Sequence, residues 1–533
     1  MSHDHANPPS LTRHCDVAVI GGSAAGLAGA LQLVRQRRSV IVVDDGSPRN
    51  APAAHMHGYL GREGAAPGEL RSVGRDEVRA YGGEVLDGRV LAVHREEDGF
   101  RVELSGGHAL IARRVLVATG LVDELPPIRG LRERWGREVI HCPFCHGWEV
   151  RDQRVVQIVT AARGLHPTPL MRHLCAELTV VLHGEPGVDA EALRALRDSG
   201  VPVLEGTVER VIDHEGALLV ELVDGTALPA DAILTGSRVH PRLDALAPLE
   251  LEVAPHPAGV GEVLVVDPTG RTSVDGVFAA GNVSDGGAQV LPAAANGSMI
   301  GAQIAFSLAG EDLAAGTRPS GVQTEWDARY EGREPIWSGD PNGSLVVEVG
   351  GMTPGRVLDV GAGEGGDAIW LAQRGWDVTA VDVSANALAR LRAAAEQRGV
   401  EVRTLVRDAN APAPYGAERY DLVSLQYGSF PRTPEQRGLR SLLDAVAVGG
   451  TLLAVGHEPT WTRERIDVAE QTRMYDPAAF VGVDEIAAAL VTDPAWRIEL
   501  HETRPRPAGA ASGHHVHDVV LRAVRVTEAN AAS

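Results

Sequence analysis

His141-Cys142-Pro143-Phe144-Cys145-His146-Gly147-Trp148-Glu149 sets two thiols three positions apart. At a helix start, the free N–H groups of the first turn stabilise one thiolate, and the two sulfurs lie close enough to close a disulfide. The alternatives are half of a zinc site and a pair of inert core thiols. Zinc needs two more soft ligands; only Cys15 and Cys175 remain, neither paired, and His141 and His146 are the only close nitrogen donors. His514-His515-Val516-His517-Asp518 offers imidazoles but runs straight into the apolar stretch 519–524, which reads as a strand. No metal is expected. Two glycine turns carry a different chemistry. A backbone approaches a diphosphate closely only through glycine, and the helix start behind it supplies N–H groups and a positive dipole. Gly21, Gly22 and Gly26 stand where that geometry wants them, with Ser23 in place of the middle glycine. Asp44 follows at a distance from which its carboxylate can accept both ribose hydroxyls. An ordinary strand–helix turn is the bland alternative. The second turn, Gly361-Ala362-Gly363-Glu364-Gly365-Gly366, stands between Asp359 and Asp382.

Both turns need the same scaffold: strand, glycine turn, helix, strand, acidic end. That is the βαβ start of a nucleotide-binding parallel sheet. Two such starts, about 340 residues apart, imply two catalytic modules in a chain of 533 residues. Residues 309–322, rich in Gly and Ala without an apolar period, read as the linker, and 1–11 as a flexible tail. All 50 basic residues are Arg, so a phosphate-loop lysine, a Schiff-base lysine and a lysine general base are excluded. With 71 acidic residues the formal charge is −21, which argues against nucleic acid or an anionic membrane as partner. Four cysteines are no secreted disulfide framework. The apolar run 17–34 is broken by glycines, and no signal peptide is visible. The expectation is a soluble cytoplasmic protein.

Four ordered motifs resemble the low-molecular-weight thioredoxin reductase family. They are the turn Gly21 to Gly26, Val115-Leu116-Val117-Ala118-Thr119-Gly120, the Cys142/Cys145 pair, and the run from Thr272 to Gly281-Asn282. The resemblance implies an α/β flavoprotein with a FAD domain (12–120 and 237–308) split by an NADPH-like domain (121–236) carrying the cysteines. It further implies that Gly281 and Asn282 meet the FAD ribityl–phosphate, that Gln289 and Val290 approach the flavin ring, and that Asn50 lines the flavin pocket. Asn282 stands where the family has Asp. It implies a homodimer through the flavoprotein part and a thioredoxin-like protein as partner.

The departures are local. After the strand at 154–159 the second glycine fingerprint is missing (Thr160-Ala161-Ala162-Arg163-Gly164), and Glu185 stands where the family's arginines would hold a 2′-phosphate. A nicotinamide site so eroded resembles the dithiol oxidase branch of the family, which closes a disulfide in a small molecule and returns its electrons to oxygen. Cys-Pro-Phe-Cys-His-Gly is also closer to that branch. By this resemblance Cys145 faces the flavin, Cys142 meets a small thiol or dithiol substrate, and His146 is the acid–base group, its ordinary pKa suiting thiol proton transfer. A packed or capping His146 is the structural alternative.

The second turn resembles motif I of class I S-adenosylmethionine methyltransferases, covering 323–533. The resemblance puts Asp359, Gly361 and Gly363 at the cofactor, Asp382 on its ribose, and Asp408 and Ala409 beside the adenine. Trp326 to Tyr330 and Ile336-Trp337 resemble thiopurine- and tellurite-type enzymes, which methylate soft nucleophiles. A thiolate needs little acid–base help, so no conspicuous base is required. Tyr330 and Trp337 either cover the sulfonium or pack in the core.

Overall fold

The computed structural model describes residues 10–214, 217–316, 321–332, 334–458, 466–507 and 516–527. The run Asp16-Val17-Ala18-Val19-Ile20 is buried throughout, as a strand covered on both faces must be. It lies within the strand Thr12–Ile20, the centre of the first sheet. Val40–Asp44 and then Glu84–Asp87 flank it on one side, and His108–Val117, Gly99–Leu104 and Val90–Glu96 on the other. Val277–Ala279 pairs with His108–Val117. Ile20 is level with Val43 and with Val117, so the loops that follow these three strands converge at one end of the sheet. The helix Ala24–Arg35 packs there against the long helix Val290–Ala314. The approach is close enough that a Cβ on Gly297 would lie 2.0 Å from the Ala25 carbonyl oxygen.

Two antiparallel strands, Leu121–Glu124 and Arg238–Pro241, carry the chain out of this module and back. Between them lies a parallel sheet in the order Val203–Gly206, Glu177–His183, Arg154–Val159, Ala232–Thr235, Val139–Ile140, with a three-stranded antiparallel sheet beside it. The carboxy-terminal module is a seven-stranded sheet in the order Arg403–Val406, Asp377–Asp382, Arg356–Val360, Tyr420–Gln426, Val446–His457, His517–Arg525, Trp496–Pro505. Only His517–Arg525 runs against its neighbours.

Of the linker expected at 309–322, residues 317–320 lie outside the described residues, and both of its ends are helical. The long helix runs on through Ala314, and a new helix spans Gly321–Arg329. The composition misled because Glu311 and Asp312 are pinned: Arg113 and Arg114 pair with Glu311, and Arg38 and Arg113 with Asp312. At the other end of the chain, the strand Thr12–Ile20 begins within the tail's neighbourhood, and residues 1–9 lie outside the described residues.

The two modules share a buried seam. Arg13, 1 % exposed, donates to both oxygens of Glu84 (2.9 and 2.7 Å), to Glu325 (2.7 and 3.1 Å) and to the Met474 carbonyl (2.6 Å), with Tyr475 stacked on its guanidinium. Asp476 accepts from the Val85 amide and from Arg79. The segment around 472–476 thus covers the outer edge strand Glu84–Asp87, satisfying an edge that would otherwise be open.

Candidate active sites

At the convergent end of the first sheet, Gly21 adopts φ 106°, and an added Cβ on Gly22 would sit 2.7 Å from the Asp44 Cβ. One on Gly26 would fall 1.9 Å from the Gly21 carbonyl oxygen. Ser23 caps the helix Ala24–Arg35 without a side-chain bond, so the first-turn N–H groups stay available. This cradle fits a diphosphate. Gly26→Ala is expected to displace the turn, at about 1–3 kcal/mol; the flavin-to-protein absorbance ratio of the purified variant should fall well below that of the parent. Asp44 carries a feature the sequence did not signal. One of its oxygens accepts from Arg75 (2.5 Å) and Arg71 (3.1 Å), the other from the Gly46 amide. Burial opposes its charge, but the Arg75 hydrogen bond and the two cations hold the carboxyl below its usual range. Asn50 lies half-buried in the following loop. Gly281 donates its N–H to Asn296, and the Asn282 amide donates to the carbonyls of Asp285 and Ala288. Asn282 therefore ties down the loop that ends at Gln289, the cap of the helix that begins with Val290.

The dithiol sits across from that cap. Cys142, in extended conformation, is the N-cap of the short helix Pro143–His146, with proline at the first helical position, where no N–H is needed. Cys145 Sγ donates to Cys142 Sγ at 2.9 Å, and Gln289 Nε2 reaches both sulfurs, at 3.9 Å to Cys142 and 3.7 Å to Cys145. The bond from Cys145 is the main reason the Cys142 thiol is pushed down to about 6; burial opposes it, and the amides of Cys145 and Phe144 assist. The same bond and burial push Cys145 up. Burial alone leads the shift at the other two thiols, upward at Cys15 and to about 11 at Cys175, so neither is a nucleophile at neutral pH. Alkylation of the reduced protein by iodoacetamide should therefore rise with pH through a midpoint near 6 at Cys142, rather than near the ordinary thiol value of about 8.5.

Around the sulfurs, His146 is pushed down, mainly by burial, and its Nδ1 is buried without a hydrogen-bond partner. It is neutral at physiological pH and has a ring nitrogen to offer. His141 stacks on Trp135 and is pushed down to about 4, by burial first and then by Arg49. Arg49 grips Asp123 on the outgoing connecting strand (2.7 Å twice), and His57 Nε2 meets Glu149 at 3.3 Å. The loop 55–58 thus borders the dithiol helix. Phe144 and Trp148 stand exposed on that helix and just beyond it.

The stretch that departs from a nicotinamide fingerprint is held by its own side chains. Residues Ala162–Leu165 form a tight helical turn; buried Gln157 donates to the Gly164 carbonyl and accepts from Thr168. The next helix, Thr168–Leu174, starts between Pro167 and Pro169, which have no N–H to give a phosphate. His183 Nδ1 accepts from the Val208 amide.

In the second module the strand Arg356–Val360 ends at Gly361 (φ 72°), and Gly363 and Gly365 also lie at positive φ. Asp382 accepts from the amides of Gly363 (2.9 Å) and Ser384 (2.8 Å), which aim it across the turn. Asp359 is wholly buried, burial and then the neighbouring Asp367 and Asp382 hold its pKa well above the usual range, and its Oδ2 has no hydrogen-bond partner. Three carboxyls converging on one turn fit a cationic ligand, as the ammonium and sulfonium of S-adenosylmethionine are. Asp408 accepts from the Asn410 amide beside Ala409. Trp337 Nε1 donates to the Tyr330 hydroxyl, and both lie over Gly363; Tyr330 is buried and Trp337 largely exposed. The cleft here, about 2390 Å³, is lined by both modules. Among the described residues no three His, Cys, Asp or Glu gather to hold a metal; His514 and His515 lie outside them. No described helix is long and apolar enough to cross a membrane.

Comparison with known proteins agrees with this division. Residues 15–298 match the pyridine nucleotide-disulphide oxidoreductase family model, and residues 357–450 a methyltransferase domain. A relative named thioredoxin reductase sirT, from Leptosphaeria maculans, is 30% identical over 57% of this chain and 98% of its own. Thioredoxin reductase tcpT from Claviceps purpurea is 30% identical over 51% of this chain and 88% of its own. Among solved structures, HlmI is 42% identical with TM-score 0.54 over 58% of this chain and 97% of its own. An oxidoreductase from Agrobacterium tumefaciens is 34% identical with TM-score 0.53, over 56% and 99%. The chain belongs to the pyridine nucleotide-disulphide oxidoreductase family, as a thioredoxin reductase-like oxidoreductase fused to a methyltransferase domain.

Proposed function

We propose that the first module uses FAD to oxidise a small dithiol to its disulfide, with dioxygen as final acceptor, and that the second uses S-adenosylmethionine to methylate a small thiol. The observation that supports the first half is a dithiol held by Gln289, together with a stretch that lacks the second glycine fingerprint and is tied by Gln157 to Gly164 and Thr168. Bound FAD supplies the two-electron acceptor for the Cys142–Cys145 pair. When the pair is a disulfide, a substrate thiolate attacks Cys142 Sγ and Cys145 leaves. The second substrate sulfur then displaces Cys142, whose low pKa makes it a good leaving group. His146 Nδ1, buried and unpartnered, takes a substrate thiol proton. Cys142, Cys145 and His146 are the catalytic residues of this reading. Gly21, Gly22, Ser23, Gly26, Asp44, Asn50, Gly281, Asn282, Gln289 and Val290 hold the flavin, while Asp359, Gly361, Gly363, Asp382, Asp408 and Ala409 hold the methyl donor. The flavoprotein part forms a homodimer; Met299, Phe306 and Leu313, spaced seven residues apart, expose an apolar stripe on its long helix.

The names of the relatives favour a second reading, NADPH-dependent reduction of a thioredoxin-like protein with an independent methyltransferase. Supplying small dithiols, air and S-adenosylmethionine separates the two. The proposal expects oxygen uptake, a disulfide product, and thiols carrying new methyl groups. No oxygen uptake, or methyl groups only on oxygen or nitrogen, would refute it.

A further inference from the structure

The helix Gly321–Arg329 touches both modules. On the flavin side its first residue has no room for a side chain: a Cβ on Gly321 would lie 2.1 Å from Ser39 Oγ and 3.1 Å from Asp16 Oδ2. One turn on, Glu325 accepts from Arg13 Nε (2.7 Å) and Nη2 (3.1 Å), and from Arg329 Nη2 (3.0 Å). The Arg329 guanidinium lies over the Trp326 ring at 4.5 Å and over the Tyr475 ring at 5.2 Å, and Arg13 lies over the same Tyr475 at 4.5 Å. No residue of this helix is fully buried, and nine residues are too few to hold a helix in water unaided. Its order therefore comes from these polar contacts and from those on its other side.

On the methyltransferase side, Asp327 Oδ1 accepts from Ser384 Oγ (2.6 Å) and from the Asn386 amide (3.2 Å), and the Asp327 carbonyl accepts from Asn386 Nδ2 (3.0 Å). Ser384 is fully buried and caps the helix Ala385–Gln397, so the Asp327 carboxylate faces the positive end of that helix. The Ser384 amide in turn donates to Asp382, whose other oxygen accepts from Gly363. The helix then leads into Tyr330, whose N–H bonds back to the carbonyls of Trp326 and Asp327. The buried Tyr330 hydroxyl lies 3.2 Å from where a Cβ on Gly363 would stand. Glu364 accepts from the Ile336 and Trp337 amides, and Arg390, paired with Glu364, donates to the Tyr330 carbonyl. The wall over the glycine turn is thus continuous with a helix seated on Arg13.

We propose that the flavin module is a working part of the methyl-donor site: seated on Arg13, the helix Gly321–Arg329 holds Asp327 on Ser384 and Tyr330 over Gly363, and S-adenosylmethionine binds tightly only while that seat is made. The proposal rests on the reading of the second module's glycine turn as the methyl-donor site, and deepens it by making Glu325 and Asp327 positioning residues. Asp327 acts through Ser384, which steadies Asp382. Glu325 acts through the seat of the helix.

The test is calorimetric titration of S-adenosylhomocysteine into the full-length protein, into Glu325→Ala, Asp327→Ala and Asp327→Asn, each below its unfolding transition. Both alanine variants should bind about tenfold more weakly, the worth of one charge-assisted hydrogen bond. The KM for S-adenosylmethionine should rise by the same factor, while kcat falls by less than about twofold, because the lost contacts act on donor binding alone. D327N keeps an acceptor oxygen for Ser384 and Asn386 and should return to within about threefold of the parent, a rescue that general destabilisation would not show. Linkage supplies a measurement that needs no variant. The ligand must favour the seated helix by the factor with which the seat favours the ligand, so saturating S-adenosylhomocysteine should slow amide exchange over 321–329 about tenfold in the parent. That exchange result decides alone where a variant does not fold. Parent affinity in E325A beside weakened binding in D327A would make the helix the methyltransferase's own and overturn the proposal. Parent affinity in D327A, or exchange over 321–329 unmoved by the ligand, would also overturn it and leave the methyl-donor site standing. If the parent itself binds no S-adenosylhomocysteine, the underlying reading falls and this proposal with it.

Discussion

Cys145→Ala should reduce dithiol oxidation by on the order of 10³-fold or more, and Cys142→Ala by a similar factor, because the two sulfurs act as one unit and their losses will not add. The two variants should differ in what they trap. With Cys145 gone, Cys142 keeps its amide contacts from the helix start but loses the Sγ–H bond that lowers it most. Its alkylation midpoint should therefore move up toward the ordinary thiol value. With Cys142 gone, Cys145 loses the partner that raises it, and its midpoint should move down. Mass spectrometry of the alkylated protein at a series of pH values checks both directions, and stopped-flow kinetics checks the rates. Unchanged turnover in either variant would remove the dithiol from the electron path.

Arg13→Met carries the second large effect. The substitution strips the Arg13 cation from Glu84 and leaves Glu325 with Arg329 alone, at 3.0 Å, in the seam between the modules, where the two carboxylate side chains are 6% and 14% exposed. Breaking a buried ionic cluster by removing one partner costs about 3–5 kcal/mol, since the remaining charges stay desolvated. The methyltransferase segment around 472–476 lies directly on this seam, so calorimetry should show the methyltransferase transition moving to lower temperature, apart from that of the flavin module. Adding Glu84→Gln to Arg13→Met should recover part of the loss, because it deletes one of the stranded charges. A single transition unmoved from that of the parent would mean that the seam contributes nothing to stability.

The seam also bears on how the two sites relate. The methyltransferase segment 472–476 runs along the edge strand from Glu84, which Arg13 holds, to Asp87, which is level with Asp44 at the end of the sheet that carries the glycine cradle. The two reactions are also alternatives for one molecule: a closed disulfide has no thiol to methylate, and a methylated sulfur cannot close a disulfide.

What could be read from the sequence was what depends on neighbours along the chain. A turn that forces positive φ at Gly21, or forbids a Cβ at Gly26, must be written as glycine, and the Cys142/Cys145 spacing records a single helical turn. The strand alternation that separates the two modules is local in the same way. The missing parts are made of distant pairs. Arg13 meets Glu84 and Glu325 across 71 and 312 residues, and Tyr427 meets Asp518 across 91. No period or spacing announces such pairs. Asp44 shows the same limit at shorter range: its position after the second strand is visible, but its capture by Arg71 and Arg75 depends on how the helix Pro67–Ala80 folds back over it. The start of the expected linker differs for this reason too, since Ala and Gly composition says nothing of the three arginines that pair with Glu311 and Asp312.

The most direct measurement is an anaerobic titration of the oxidised holoprotein, following the flavin absorption band. One equivalent of a small dithiol, with no nucleotide present, should bleach the band and leave the substrate as a disulfide, and admitting air should restore it. Prompt bleaching by NADPH, with the dithiol leaving the band untouched, would contradict the account and hand the electron path to a nicotinamide.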